Sequence, residues 1–256
     1  MTAGPYEPLQ QTLAGTAFAE IRYVEATGST NADAAALLGD RSSGGLTIVA
    51  EYQRRGTGRK GRSWQGAAGA TLLFSTILPR SVAADGLWLV PFWVALAVRA
   101  GLHECGVDTT LQWPNDLLLH ERKIAGVLCQ SSVTGSAARV ACGVGINVHR
   151  WPDAAAILPP PAFCDEAATV DRRALLQAIL LSFDRSLAAL DEPARVVAEW
   201  DASAELPGRR YRIALDSGAT PFEAAALGLK SGGGLEVRRE GGARETVALA
   251  DARVLR

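Results

Sequence analysis

The stretch WPNDLLLHERKIAGVLCQSSVTGSAARVACGVGINV, residues 113–148, decides the fold. It breaks into short β-branched and apolar runs, DLLLH, KIAGVLCQSSV and ARVACGVGINV, with LQWP just ahead and a tight turn at residues 121–122. Gaps of this size fit hairpins and leave no room for crossover helices, so the runs predict a largely antiparallel sheet. Upstream, residues 88–105 read as a largely apolar helix with Pro91 in its first turn. Strands are expected at 21–27, 46–53 and 72–78, and a short helix at 9–13. GSTNADAAALLGD reads as a helix with Thr30 as N-cap and Asp33 close to a capping box. Downstream, a loop at 159–161 leads into a helix with Leu175, Leu176, Ile179, Leu180, Phe183 and Leu187 on one stripe. A further helix starts at Pro193. Composition shifts at 206–208 to short β-like runs between Gly-rich turns, the pattern of a small barrel. The expected fold class is α+β. A mixed, largely antiparallel sheet flanked by helices fills residues 1–205, and a small β-barrel fills 206–256.

Composition narrows the function. With 48% hydrophobic and 21% charged residues among 256, the chain is ordinary globular material. A net charge of −1 argues against a protein that coats nucleic acid. Cys105, Cys129, Cys142 and Cys164 form no CxxC pair, and His103, His120 and His149 have no ligand spacing. Cys129 and Cys142 lie in apolar strands and read as buried thiols. G-x-S-x-G is absent, so zinc chemistry and a serine triad are both disfavoured. The longest apolar run, 87–98, is short for a bilayer, and no signal-like segment precedes Arg22. A cytoplasmic protein without a membrane partner is expected.

QRRGTGRKGRSW, residues 53–64, places five cations among three glycines after a strand. Glycines let backbone N–H groups approach a ligand closely, so this loop is built to bind an anion. GTGRKG matches the dinucleotide fingerprint in form, but no helix opens inside it and Arg80 stands where an acid is needed. GTGRKGRS fails as a P-loop for the same missing helix, with Arg62 in place of Lys. Further on, Asn115 and Asp116 sit in a Pro-initiated turn, and Lys123 opens an apolar strand that would project its charge from a rigid element. Asn147 is a polar residue in an apolar strand, so it needs hydrogen-bond partners.

GSTN before a helix, EYQ-x-x-G-x-GR-x-GR-x-W, WPND, RKIAG and GVGINV, in this order, resemble the biotin–protein ligases (biotin–[acetyl-CoA-carboxylase] ligases). The resemblance implies a fold related to class II aminoacyl-tRNA synthetases and lipoate ligases. It implies activation of biotin by ATP with Mg²⁺ to biotinyl-5′-AMP, then transfer to a lysine of a biotin carboxyl carrier protein domain of a carboxylase. By the same resemblance, Ser29, Thr30, Asn31, Gln53 and Gly126 line the biotin pocket, with Gly56, Thr57, Gly58 and Arg59 folding over it as a lid. Arg62, Trp64, Asn115, Asp116 and Asn147 fall on the ATP side, Asp116 within reach of Mg²⁺, and Lys123 and Arg59 are the catalytic cations. Only 28 residues precede Ser29, too few for a helix-turn-helix domain, so a monofunctional ligase without DNA binding is expected. A homodimer is left open. A lipoate ligase, an inactive ligand-binding module and a nucleic-acid binder are the rival readings.

The chain departs from the family pattern at Thr57, where Arg is frequent, and at Gln112, where Lys often precedes WPND. Lys60 is a candidate substitute for the first lost cation. Weaker retention of the adenylate is expected. Thr57→Arg should slow adenylate release in a stopped-flow chase; an unchanged release rate contradicts this reading.

Overall fold

The computed structural model describes residues 4–250 and 252–255. After a short helix α1 (Glu7–Thr12), strand β1 (Ile21–Thr27) leads through helix α2 (Thr30–Ala36) to β2 (Thr47–Gln53). The α2 crossover makes β1 and β2 parallel, with Ile21 opposite Thr47. Every later pairing in this sheet is antiparallel. β3 (Thr71–Ile77), the two-residue β4 (Val82–Ala83), helix α3 (Val90–Glu104), β5 (Thr110–Gln112), β6 (Asp116–Leu119), β7 (Arg122–Thr134) and β8 (Ala137–Asn147) follow. The spatial order is β1-β2-β3-β8-β7-β6-β5, with β4 beside β8. The hairpins read from residues 113–148 are therefore present, and the turn between β6 and β7 falls on His120 and Glu121, both at positive φ.

Helices α4 (Arg172–Ser186) and α5 (Pro193–Ser203) complete the main layer. Asp171 caps α4 by accepting from the Arg173 and Ala174 amides at 3.0 and 2.9 Å. The stripe Leu175, Leu176, Ile179, Leu180 and Phe183 is buried. Phe183 stacks on Trp93 of α3 at 5.0 Å, and the Trp93 indole N–H donates to the Ser186 carbonyl at 2.9 Å. Residues 84–104 form a continuous helical segment of 21 residues, longer than the apolar run read from sequence, and 61% of its apolar window is buried inside the protein. Apolar on nearly all sides, α3 has the makeup of a core helix.

The C-terminal strands are β9 (Arg210–Leu215), β10 (Phe222–Leu229), β11 (Leu235–Arg239), β12 (Arg244–Val247) and β13 (Ala252–Leu255). They form an antiparallel sheet in the order β12-β11-β10-β9-β13. The expected barrel is corrected to an open sheet, because β12 and β13 are its two edges and do not pair. Short β runs separated by turns specify antiparallel neighbours; closure also requires matched tilt and stagger, which composition does not encode. One apolar core joins the two sheets, including Trp113, Trp200, Tyr211 and Leu235. The Trp113 indole donates to the Gly233 carbonyl at 3.0 Å, and Asp201 of α5 accepts from the Leu229 amide at 2.9 Å. Burial holds the Asp201 carboxyl above its ordinary range.

The helix after GST is also corrected in detail. Ser29 is its N-cap and makes no side-chain cap; Thr30 is the first helical residue. Asp33 accepts from the Thr27 hydroxyl at 2.6 Å instead of closing a capping box.

Helices α3 and α4 pack closely at Gly101, where an added Cβ would lie 2.5 Å from Ile179 Cγ1 and 2.9 Å from the Ile179 backbone nitrogen. Alanine favours helix by about 1 kcal/mol over glycine, yet overpacking typically costs about 1–3 kcal/mol. Gly101→Ala should therefore destabilise the fold in urea titration; a raised midpoint contradicts this packing.

Candidate active site

The floor of the site is the meeting of β3, β8 and β7. Gly126 lies opposite Gly145 in the β7–β8 register, and Asp116 opposite Gly126 in the β6–β7 register. These positions are bare so that side chains can lie on the backbone. A Cβ at Gly145 would stand 2.6 Å from Cε2 of Trp64, and one at Gly143 would stand 2.9 Å from Cγ of Asn31. The motif GVGIN is thus a recess for an indole and an amide.

A pocket of about 120 Å³ opens on this floor, lined by Ser29, Thr30, Asn31 and Gln53 on one side and Arg59, Trp64 and Lys123 on the other. Asn31 is buried and donates its amide to the Leu128 carbonyl at 3.0 Å, while its Oδ1 has no hydrogen-bond partner among the described residues. The Thr30 amide donates to Gln53 Oε1 at 2.7 Å, and the Thr30 hydroxyl lies 2.9 Å from that of Ser75. Thr57, Gly58 and Gly126 also face this pocket. Gly56 stands behind it, where a Cβ would meet the Gln53 amide nitrogen at 3.1 Å.

The cationic loop is a small closed hairpin. Thr57 bridges Ser63, the Gly58 amide donates to the Arg62 carbonyl at 2.6 Å, and the Trp64 amide donates to the Gly56 carbonyl at 2.8 Å. Lys60 and Gly61 turn its tip at φ of 57° and 71°. The C-terminal sheet is its ceiling. The Arg59 guanidinium donates to the Leu249 carbonyl, and Lys60 Nζ lies 2.5 Å from the Asp216 carboxylate. Lys60 therefore points away from the pocket, and the expected compensation for Thr57 is corrected. Tip geometry sends adjacent side chains to opposite sides, a feature residue type does not reveal. Burial, reinforced by repulsion from Arg62, lowers the Arg59 pKa, yet a guanidinium stays charged.

Lys123 sits between this pocket and a second recess. Its ammonium is 2.6 Å from Asp116 and 5.2 Å from the centroid of the Trp64 ring. Its carbonyl accepts from the Ala162 amide at 2.9 Å and from Asn147 Nδ2 at 3.4 Å. Arg122 beside it is clamped by Glu166. The second recess, of about 510 Å³, is bounded by Arg62, Trp64, Lys123, Asn147 and the loop at Ile157 and Leu158. Asn115, which also lines the first pocket, donates its side-chain amide to the Val127 carbonyl at 2.5 Å and extends the ladder where β6 begins. Gln112 lines a smaller hollow with Arg62, Asn115 and Asp116. Among the described residues no group of three His, Cys, Asp or Glu could hold a metal.

Ser75, Leu128 and the 157–158 loop escaped the sequence reading. Ser75 had a signal, being with Thr76 one of two polar residues within the otherwise apolar run LLFSTIL.

Residues 24–147 match the family model described as the biotin/lipoate A/B protein ligase family. A biotin–[acetyl-CoA-carboxylase] ligase of Paracoccus denitrificans is 36% identical over 174 residues, covering 64% of this chain and 72% of that protein. The chain belongs to this ligase family. The bifunctional ligase/repressor BirA of Escherichia coli is 39% identical over 125 residues, 47% of this chain. The matched region spans 38% of that relative and 52% of the Bacillus subtilis one. The fold of this family member is also that of a biotin protein ligase from Aquifex aeolicus in complex with biotin and ATP. The TM-score is 0.74 at 23% identity, covering 93% of this chain and 99% of that one.

Gly145→Ala should push the Trp64 indole off the floor, raising the acrylamide quenching of tryptophan emission without unfolding the chain. Unchanged quenching contradicts the assigned close approach.

Proposed function

We propose that this chain joins biotin to ATP, supplied with magnesium, as biotinyl-5′-AMP, and then transfers the biotinyl group to a lysine of a biotin carboxyl carrier domain of a carboxylase. In the first step a carboxylate oxygen of biotin bonds to the α-phosphorus and pyrophosphate leaves. In the second, the uncharged carrier amine bonds to the acyl carbon, AMP leaves, and the amine gives up a proton. The first step brings two anions together, and Coulomb repulsion opposes it until fixed positive charge offsets it.

The observation that carries the reading is the place of Lys123. Its ammonium lies between the small pocket and the larger recess, as a cation bridging a carboxylate and a phosphate requires. Arg59 lines the same pocket from the loop while its guanidinium donates to the Leu249 carbonyl, with Arg62 toward the phosphates. Ser29, Thr30, Asn31 and Gln53 hold the ring of biotin. Trp64 and Asn147 face the nucleotide. Asp116 is the carboxylate beside Lys123. Magnesium keeps several waters and phosphate oxygens and needs only one or two carboxylates, so its arrival with ATP suits a site with Asp116 alone. No protein nucleophile is needed, because the substrate carboxylate itself attacks. The cytoplasmic setting read from sequence belongs to the same proposal.

Lys123→Ala should reduce biotin-dependent pyrophosphate release by about 10²–10³ while circular dichroism stays unchanged, the range for loss of one oriented charge donor. Near-normal release, or release driven equally by lipoate, overturns the assignment.

A further inference from the structure

We propose that Cys129 and Cys142 are an oxidation site, a thiol pair that a small disulfide converts into a cross-strand bridge between β7 and β8, and that the bridge weakens the neighbouring ligand pocket. The two residues lie directly opposite each other in the β7–β8 register, and their thiols are hydrogen-bonded. Cys142 is buried, as its sequence context predicts, whereas Cys129 is only half-buried. Cys129 lines a groove of about 290 Å³ with Trp88, Pro91, Gln130 and Ser131, which gives a small molecule a path to it.

Backbone direction shows that the pair can close. Val127 donates its N–H to the Asn115 carbonyl at 3.0 Å and accepts the Asn115 side-chain amide at 2.5 Å, so both its polar groups face away from β8. Direction alternates along a strand, so Cys129, two residues on, also faces away from β8. From the other strand, the Val140 carbonyl accepts from the Leu78 amide at 2.9 Å, so Val140 and Cys142 direct their polar groups to the β3 side. Cys129 and Cys142 are therefore a non-hydrogen-bonded pair. Such pairs bring Cα atoms to about 4.5 Å, within the span of about 4.4–6.8 Å that a disulfide bridges.

The order of reaction follows from burial. Contact with Cys129, reinforced by desolvation, pushes the Cys142 thiol well above its ordinary range, so the half-buried Cys129 attacks first. Its thiolate bonds to one sulfur of the small disulfide, that S–S bond breaks, and one small thiol leaves with the proton Cys129 gave up. Cys142 then bonds to the Cys129 sulfur, and the second small thiol leaves with the Cys142 proton. Two cysteines are oxidised and one small disulfide is reduced to two thiols. The next pair along the register, Leu128 and Gly143, lines the pocket on the opposite face of the sheet. Asn31 is lodged there, its amide on the Leu128 carbonyl at 3.0 Å and its Cγ 2.9 Å from where a Gly143 Cβ would stand. Disulfides prefer a Cα span of about 5.5–6 Å, so closing the bridge spreads the strands beside Asn31. The effect on biotin rests on the ligase reading above; the bridge itself does not.

The test treats folded wild type, Cys129→Ser and Cys142→Ala with 2-hydroxyethyl disulfide, alkylates the remaining thiols and maps tryptic peptides without reductant. Wild type should yield peptides 124–139 and 140–150 joined through Cys129 and Cys142. Cys142→Ala should stop at a hydroxyethylthio adduct on Cys129, and Cys129→Ser should leave Cys142 unmodified. Oxidised wild type should show a biotin KM about tenfold higher in pyrophosphate release, the worth of one hydrogen bond, with the ATP KM within about twofold. Dithiothreitol should restore the reduced value, and Cys129→Ser should keep its biotin KM through the treatment. Free Cys129 and Cys142 after treatment of wild type, a lasting adduct on its Cys129, or a closed bridge with an unchanged biotin KM overturns the proposal. Reduced protein that releases no pyrophosphate with biotin overturns the ligase reading, and the peptide map still decides whether the bridge forms.

Discussion

A single ammonium group organises the site. Lys123 Nζ is held between the Asp116 carboxylate at 2.6 Å and the face of Trp64 at 5.2 Å, and its strand is pinned from behind by Ala162 and Asn147 on the Lys123 carbonyl. Each restraint comes from a different element, so a flexible side chain acquires a fixed charge. Such preorganisation is what makes a cation effective at the moment charge develops, since it needs no reorientation then. Asp116 also keeps that charge favourable in a partly buried place until anionic ligands arrive.

The rest of the fold serves that placement. Bare backbone at Gly126, Gly143 and Gly145 lets Lys123, Asn31 and Trp64 settle on the floor of the sheet. The open C-terminal sheet supplies the Leu249 carbonyl and the Asp216 carboxylate that receive Arg59 and Lys60. Both cations thereby tie the loop to the C-terminal segment, and Arg59 also lines the pocket. This explains why a chain close to neutral can concentrate five positive charges in twelve residues: part of that charge builds the loop.

Much of this was legible from residue order. Hairpin spacing predicted β6, β7 and β8, and the apolar stripe predicted α4, because both signals are local and periodic. The parallel β1–β2 pairing was not read from the sequence, although the helix between the two strands is its local cause. What escaped depended on distant contacts. Closure of the last sheet, the direction of Lys60 and the partner of Asp33 are set by segments far along the chain, which no window of sequence contains. At the site, charged residues and glycines announced themselves by type. Ser75, one of two adjacent hydroxyls in an otherwise apolar strand, gains its place at the site only through its contact with Thr30. Asn115 combines two uses, its side-chain amide held on the Val127 carbonyl at the start of β6 while the residue lines the pocket.

The central claim is that two mutually repelling acids are joined across Lys123. It is tested most directly by incubating the purified protein with biotin, ATP and magnesium, without any carrier, and analysing the acid-quenched mixture by mass spectrometry. The account predicts biotinyl-5′-AMP in amounts approaching one per protein chain, with matching pyrophosphate. Pyrophosphate without that adduct, or no reaction at all, contradicts it.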